Sequence, residues 1–127
     1  MDHPPFRETI LIADDDPHIR EILHFALKKE GFHTREAENG LHCLDIFRRE
    51  SPDLLVLDIN MPRINGLEFL DAVKNNNAFA EIPVVIVSTE GKEEDTVRGL
   101  KMGAKGYVKK PFQASELHSL IEKITGS

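Results

Sequence analysis

The chain has 127 residues, 16 Lys and Arg against 22 Asp and Glu for a formal net charge of −6, 40% hydrophobic residues and one cysteine. This length suits a single domain that builds its core without crosslinks, and an acidic balance without clustered cations argues against direct nucleic-acid binding. Cys43 alone excludes an intrachain disulfide and a four-cysteine zinc site, which suggests a reducing, cytoplasmic setting.

The elements follow in chain order. Glu8 to Ala13 is a short, nearly continuous apolar run, the pattern of a strand buried on both faces. Asp16-Pro17 opens a helix as N-cap and first helical residue. Ile19, Ile22, Leu23, Ala26 and Leu27 stripe that helix, Lys28 and Lys29 fill its last turn and Gly31 ends it. Phe32 to Ala37 is a more polar strand, as expected near a sheet edge. Asn39-Gly40 starts a second helix carrying Leu41, Leu44 and Phe47, and Ser51-Pro52 stops it. Leu54 to Ile59 is a third apolar run with one charge, Asp58, near its end.

The second half repeats the scheme. A loop from Asn60 to Gly66 holds Pro62 and Asn65-Gly66. Leu67, Phe69, Leu70 and Val73 stripe a third helix. Pro83 to Ser88 is a fourth strand, and Glu93 to Met102 a fourth helix with Val97 and Leu100 as its clearest apolar positions. Gly103 caps it, Gly106 to Lys109 is a short fifth strand, and Ser115 to Thr125 a fifth helix striped by Leu117, Leu120, Ile121 and Ile124. No apolar run approaches the ~20 residues that cross a bilayer. Residues Met1 to Pro5 lack a signal-peptide pattern, so no membrane insertion is expected.

Strands alternating with helices predict an α/β fold, a doubly wound, parallel five-stranded sheet with helices on both faces. Ligands of such sheets bind at the carboxyl ends of the strands. The polar residues there are Asp14, Asp15 and Asp16, then Asp58, then Ser88-Thr89, then Lys109-Lys110-Pro111. Clustered carboxylates repel and call for a cation, and an oxygen-only set selects Mg²⁺ over Zn²⁺. An aspartate beside such a metal can accept a phosphoryl group, with a lysine and a hydroxyl neutralising the phosphoryl oxygens.

Each of these residues alone has an ordinary reading. The three acids suit a helix N-terminus, Asp16 is explained by capping alone, Lys109 points to the opposite strand face from Lys110 and into solvent, and Cys43 is a packed small residue. A charge beside the apolar run ending at Asp58 needs a reason, however. A phosphatase forming an aspartyl-phosphate would want a second Asp where Asn60 stands. A nucleotide or flavin module would want a glycine-rich loop where D-D-D-P stands.

Four segments carry a resemblance: I-L-I-A-D-D-D-P (10–17), P-D-L-L-V-L-D-I-N-M-P-R-I-N-G (52–66), V-S-T-E-G (87–91) and G-A-K-G-Y-V-K-K-P-F (103–112). From about Thr9 to Thr125 the sequence resembles the receiver (CheY-like) domain of bacterial two-component response regulators. The resemblance implies a flavodoxin-like (βα)5 sheet of strand order 2-1-3-4-5, with residues 1–127 one receiver domain and its core at about 9–125. It implies that Asp58 accepts phosphate from a sensor histidine kinase or histidine phosphotransfer protein. Mg²⁺ would be held by Asp14, Asp15, Asp58 and the backbone carbonyl of Asn60. Lys110 and Ser88 would contact the phosphoryl group, Tyr107 would swing inward after Ser88, and Lys110-Pro111 would be cis. The face of the fourth helix, fifth strand and fifth helix would report phosphorylation to a downstream target or effector domain, as a monomer or a phosphorylation-dependent dimer. Asn60 and Glu90, two residues past Asp58 and Ser88, would border the hydrolytic water. The chain would catalyse only its own phosphorylation and dephosphorylation. Only Gly126-Ser127 follow the last helix, so a stand-alone receiver and a piece of a longer regulator both stay open.

Overall fold

In the computed structural model, which describes residues 9–59, 66–76, 79–89 and 91–125, the apolar runs become strands and the striped segments become helices. In order these are β1 (Thr9–Ala13), α1 (Pro17–Lys29), β2 (His33–Ala37), α2 (Gly40–Arg49), β3 (Leu54–Asp58), α3 (Gly66–Lys74), β4 (Val84–Thr89), α4 (Glu93–Lys101), β5 (Gly106–Lys110) and α5 (Ala114–Thr125). All five strands are parallel, in the order β2-β1-β3-β4-β5. The expected fold and strand order are both present. The ends differ from the sequence reading by a residue or so, as fraying ends do.

Alternation along the strands divides the core. Leu11, Ala13, Leu55, Leu57, Val84 and Ile86 face the layer of α2, α3 and α4, where they meet Cys43, Phe47, Leu70 and Val73. Ile10, Ile12, Leu54, Val56, Val85 and Val87 face α1 and α5, where they meet Leu23, Leu27, Leu117 and Ile121. The central strands are therefore apolar on both sides, as parallel strands between two helical layers must be. Edge strand β2 leaves His33 and Arg35 exposed and Glu36 partly so while burying Thr34 and Ala37, which explains its polar sequence. Cys43 is fully buried, and desolvation raises its thiol pKa to about 12, so it serves as packing.

Helix ends follow local chemistry. The Asp16 carboxylate accepts from the His18 N–H at 2.9 Å with Pro17 opening α1, and Asn39 caps α2 through the His42 N–H at 2.9 Å. Gly31 and Gly103 follow helices at positive φ, 96° and 116°.

Three apolar positions assigned to helix stripes face outward: Ile22, Leu41 and Val97 are 45%, 82% and 50% exposed. A helix lying on a sheet buries only an arc of its surface. In α4 that arc carries Thr96 and Gly99 instead of Val97. The Thr96 hydroxyl donates to the Lys92 carbonyl at 3.4 Å, which permits its burial. Gly99 lets α4 approach β4 so closely that a Cβ there would lie 2.2 Å from Ile86 Cδ1.

Candidate functional site

Register brings the carboxylates together. Ala13 of β1 lies opposite Leu57 of β3, so the next residues of the two chains, Asp14 and Asp58, emerge side by side. Both are buried, each 2% exposed, whereas Asp15 is exposed. Carboxylate oxygens of Asp14, Asp15 and Asp58 lie within 4.8 Å of one another. Asp58 pairs in register with Val87, and Ser88, the next residue of β4, is buried beside it. Thr89 lies opposite Lys110, which carries β5 into the same edge.

Lys110 neutralises part of this charge. Its ammonium donates to Asp58 Oδ2 at 2.9 Å and lies 3.1 Å from Asp14 Oδ2. The hydrogen bond is directed at Asp58. Asp14 Oδ2 receives the charge but no aligned donor, and it is a buried oxygen without a hydrogen bond. The other Asp14 oxygen accepts from the Asp16 N–H at 2.9 Å. Desolvation lifts the Asp14 pKa above the ordinary carboxylate value; the Asp16 N–H opposes that rise, and the Asp58 charge adds to it. Desolvation also acts to lower the Lys110 pKa, but the hydrogen bond and charge of Asp58, with the charge of Asp14, outweigh it and raise it.

A hard cation fits this donor set. Three carboxylates converge, one is solvent-accessible, and an enclosed oxygen of Asp14 lacks a donor. Tyr107 is 48% exposed, and the Lys110-Pro111 peptide is cis, as expected. Asn60 and Glu90, expected at the metal and on the water's approach, lie outside the described residues, as do Met61, Pro62 and Asn65.

Two features escaped the sequence reading. Arg20, one turn into α1, donates from Nη1 to the Asp14 carbonyl at 2.6 Å, and its Nε lies 3.4 Å from Glu36 Oε1 on β2. A helical side chain leans back over the preceding turn, so an arginine one turn after the acidic loop was the available signal. Lys109, expected to be merely solvated, is exposed but pairs with Glu93 Oε2 at 3.1 Å.

Comparison with known proteins identifies the family and the fold. Residues 10–122 match the response regulator receiver domain family. The phosphate regulon transcriptional regulatory protein PhoB of Escherichia coli (strain K12) is 37% identical over 115 residues, covering 91% of this chain and 50% of that protein. PhoB of Pseudomonas aeruginosa is 33% identical over 117 residues, covering 92% and 51%. The chain thus spans about half the length of the curated relatives it matches. Among solved structures, the receiver domain of NtrX from Brucella abortus superposes with TM-score 0.85 at 33% identity, covering 93% of this chain and 98% of that one. The chemotaxis response regulator CheY4 of Vibrio cholerae gives TM-score 0.85 at 27% identity, covering 92% and 98%.

Proposed function

Because the chain belongs to the response regulator receiver domain family, we propose that it is a phosphorylation-controlled switch whose phosphoacceptor is Asp58. The observation that carries this reading is the 2.9 Å pair between Lys110 and Asp58 inside the cluster of three aspartates. A carboxylate oxygen of Asp58 forms a bond to phosphorus while the bond from phosphorus to the donor breaks. That donor is a phosphohistidine of a sensor histidine kinase or a histidine phosphotransfer protein, whose imidazole leaves and takes up a proton.

Asp14, Asp15 and Asp58 with the Asn60 carbonyl would hold Mg²⁺, which supplies charge neutralisation to the phosphoryl oxygens. Lys110 follows the phosphoryl group as a second cation, and Ser88, buried at the end of β4, donates its hydroxyl to a phosphoryl oxygen. Drawing Ser88 inward shifts the segment after β4 and opens room for the Tyr107 ring, now half outside. Switching then reaches the α4, β5 and α5 face, read by a downstream protein target or effector domain, through a monomer or a phosphorylation-dependent dimer. Asn60 and Glu90 would border the water that later hydrolyses the acyl phosphate. The chain turns over no external substrate. With a net charge of −6 and no helix among the described residues long and apolar enough to cross a membrane, a cytoplasmic setting without direct nucleic-acid contact suits it.

Intact mass after incubation with acetyl phosphate and Mg²⁺ tests the proposal. One added phosphoryl group, absent in Asp58→Asn, is the expected result. No gain in the wild-type protein would overturn it.

A further inference from the structure

The metal-binding acids Asp14 and Asp15 stand on a loop between β1 and α1, past the last ladder residue of β1. A carbonyl there has left the sheet, and a buried one needs a donor. The Asp14 peptide is instead gripped at both ends. Its N–H donates to the Ala37 carbonyl of β2 at 3.1 Å, and its carbonyl accepts from Arg20 Nη1 at 2.6 Å. Arg20 is itself held: its Nε lies 3.4 Å from Glu36 Oε1, and its side chain is only 14% exposed. Glu36 precedes Ala37 on β2, so the same strand anchors both ends of the Asp14 peptide. The second Glu36 oxygen lies 3.8 Å from His24 Nδ1 on α1, a nitrogen whose hydrogen-bond partner is the Thr34 hydroxyl.

We infer that Arg20 is a positioning residue for the metal site, clasping the Asp14 carbonyl so that the Asp14-Asp15 peptide presents both carboxylates toward Asp58. This rests on the receiver reading above and extends it to a residue outside the cluster. The mutual repulsion of three carboxylates within 4.8 Å favours their swinging apart. The Asp15 side chain is exposed and has no wall to hold it. What fixes its origin is the peptide before it, and Arg20 fixes that peptide. Only a planar guanidinium donates to the carbonyl through one nitrogen while turning another toward Glu36; a lysine ammonium has one point of charge for both.

The test is Mg²⁺ titration of the unphosphorylated protein, followed by the amide shifts of residues 14–16 and 58, for wild type, Arg20→Met, Arg20→Lys and Glu36→Gln. Thermal midpoints are measured alongside. Loss of an outer partner of metal ligands weakens affinity roughly tenfold, and that rise in the Mg²⁺ midpoint is expected for Arg20→Met and for Arg20→Lys. Glu36→Gln, which leaves the hydrogen bond but loosens its anchor, is expected to give a smaller rise. Acetyl phosphate labelling should recover to near the wild-type rate at saturating Mg²⁺, because no group touching the phosphoryl is lost. A lowered thermal midpoint with an unchanged Mg²⁺ midpoint would show Arg20 to be merely structural and overturn the inference. Should Arg20→Met fail to fold, Arg20→Lys and Glu36→Gln decide in the same way. A wild-type protein that neither responds to Mg²⁺ nor takes up a phosphoryl group would overturn the receiver reading itself, an outcome separate from equal Mg²⁺ midpoints in a protein that does both.

Discussion

Lys109 and Lys110 are consecutive residues of β5, each within 3.1 Å of a carboxylate, yet they belong to regions governed by different physics. Strand alternation sends Lys110 into the acidic edge of the sheet, where Asp14 and Asp58 are almost without solvent and the ammonium offsets carboxylates whose desolvation is costly. The same alternation sends Lys109 outward to Glu93 at the start of α4, where both partners stand about half exposed and water screens the pair. The Lys109 hydrogen bond lowers the Glu93 pKa, at a carboxylate that water also reaches. Distance alone therefore does not rank these ion pairs; burial and the number of converging charges do. The buried pair is also the one at which the proposed phosphoryl group and metal would bind, its cation being shared between two acids.

Lys110→Met should give the largest effect. Removing a donor aimed at developing charge costs on the order of 100-fold in rate, so acetyl phosphate labelling should slow by roughly that factor while Lys109→Met stays near wild type. Equal losses in the two variants would erase the distinction between the regions.

Gly99→Ala asks what holds α4 in place. The added Cβ would meet Ile86 Cδ1 at 2.2 Å in the core, and overpacking of this kind costs about 1–3 kcal/mol. Denaturant unfolding should show that loss even though alanine favours a helix. An unchanged or higher stability would mean that the contact between α4 and β4 is loose.

Asp14→Asn should stabilise. The raised Asp14 pKa means that the folded protein binds this proton more tightly than the unfolded chain, so the ionised carboxylate is a penalty at neutral pH. Removing it should raise the thermal midpoint by a few degrees, on the order of 1 kcal/mol for a domain of this size. As pH falls through the raised pKa toward the ordinary value of 3.8, wild type sheds the penalty and the two midpoints converge. Lys110 does not confuse this window, since its stabilising contribution is complete below 10.5 and is lost only as pH rises through its raised pKa. A gap that widens on acidification would contradict the assignment.

Glu93→Gln is the smallest. The thermal midpoint should stay within error of wild type, because an exposed pair of this kind contributes little. A resolvable loss would place the outer pair among the interactions that hold α4.

How much of this was legible in the sequence depended on what each residue type can hide. Continuous apolar runs marked β1, β3 and β4 because strands between two helical layers have no polar face. Asp14, Asp58, Ser88 and Lys110 followed from topology, since parallel strands deliver their last residues to one edge. The inward face of α4 was not legible, because it is made of Thr96 and Gly99 while Val97 turns outward. Leu41 misled in the same way in the first turn of α2. The Arg20 clasp was hidden because arginine near a helix start is ordinary on a surface, and only the close approach of β2 supplies the Glu36 that holds it on the Asp14 carbonyl.

Borohydride trapping tests the central claim most directly. Protein labelled with acetyl phosphate and Mg²⁺ is reduced, which converts an aspartyl phosphate to homoserine with release of phosphate, and its peptides are then mapped by mass spectrometry. The account predicts homoserine at position 58 and at no other aspartate. Reduction at Asp14 or Asp15, or labelled protein with aspartate intact at position 58, would contradict it.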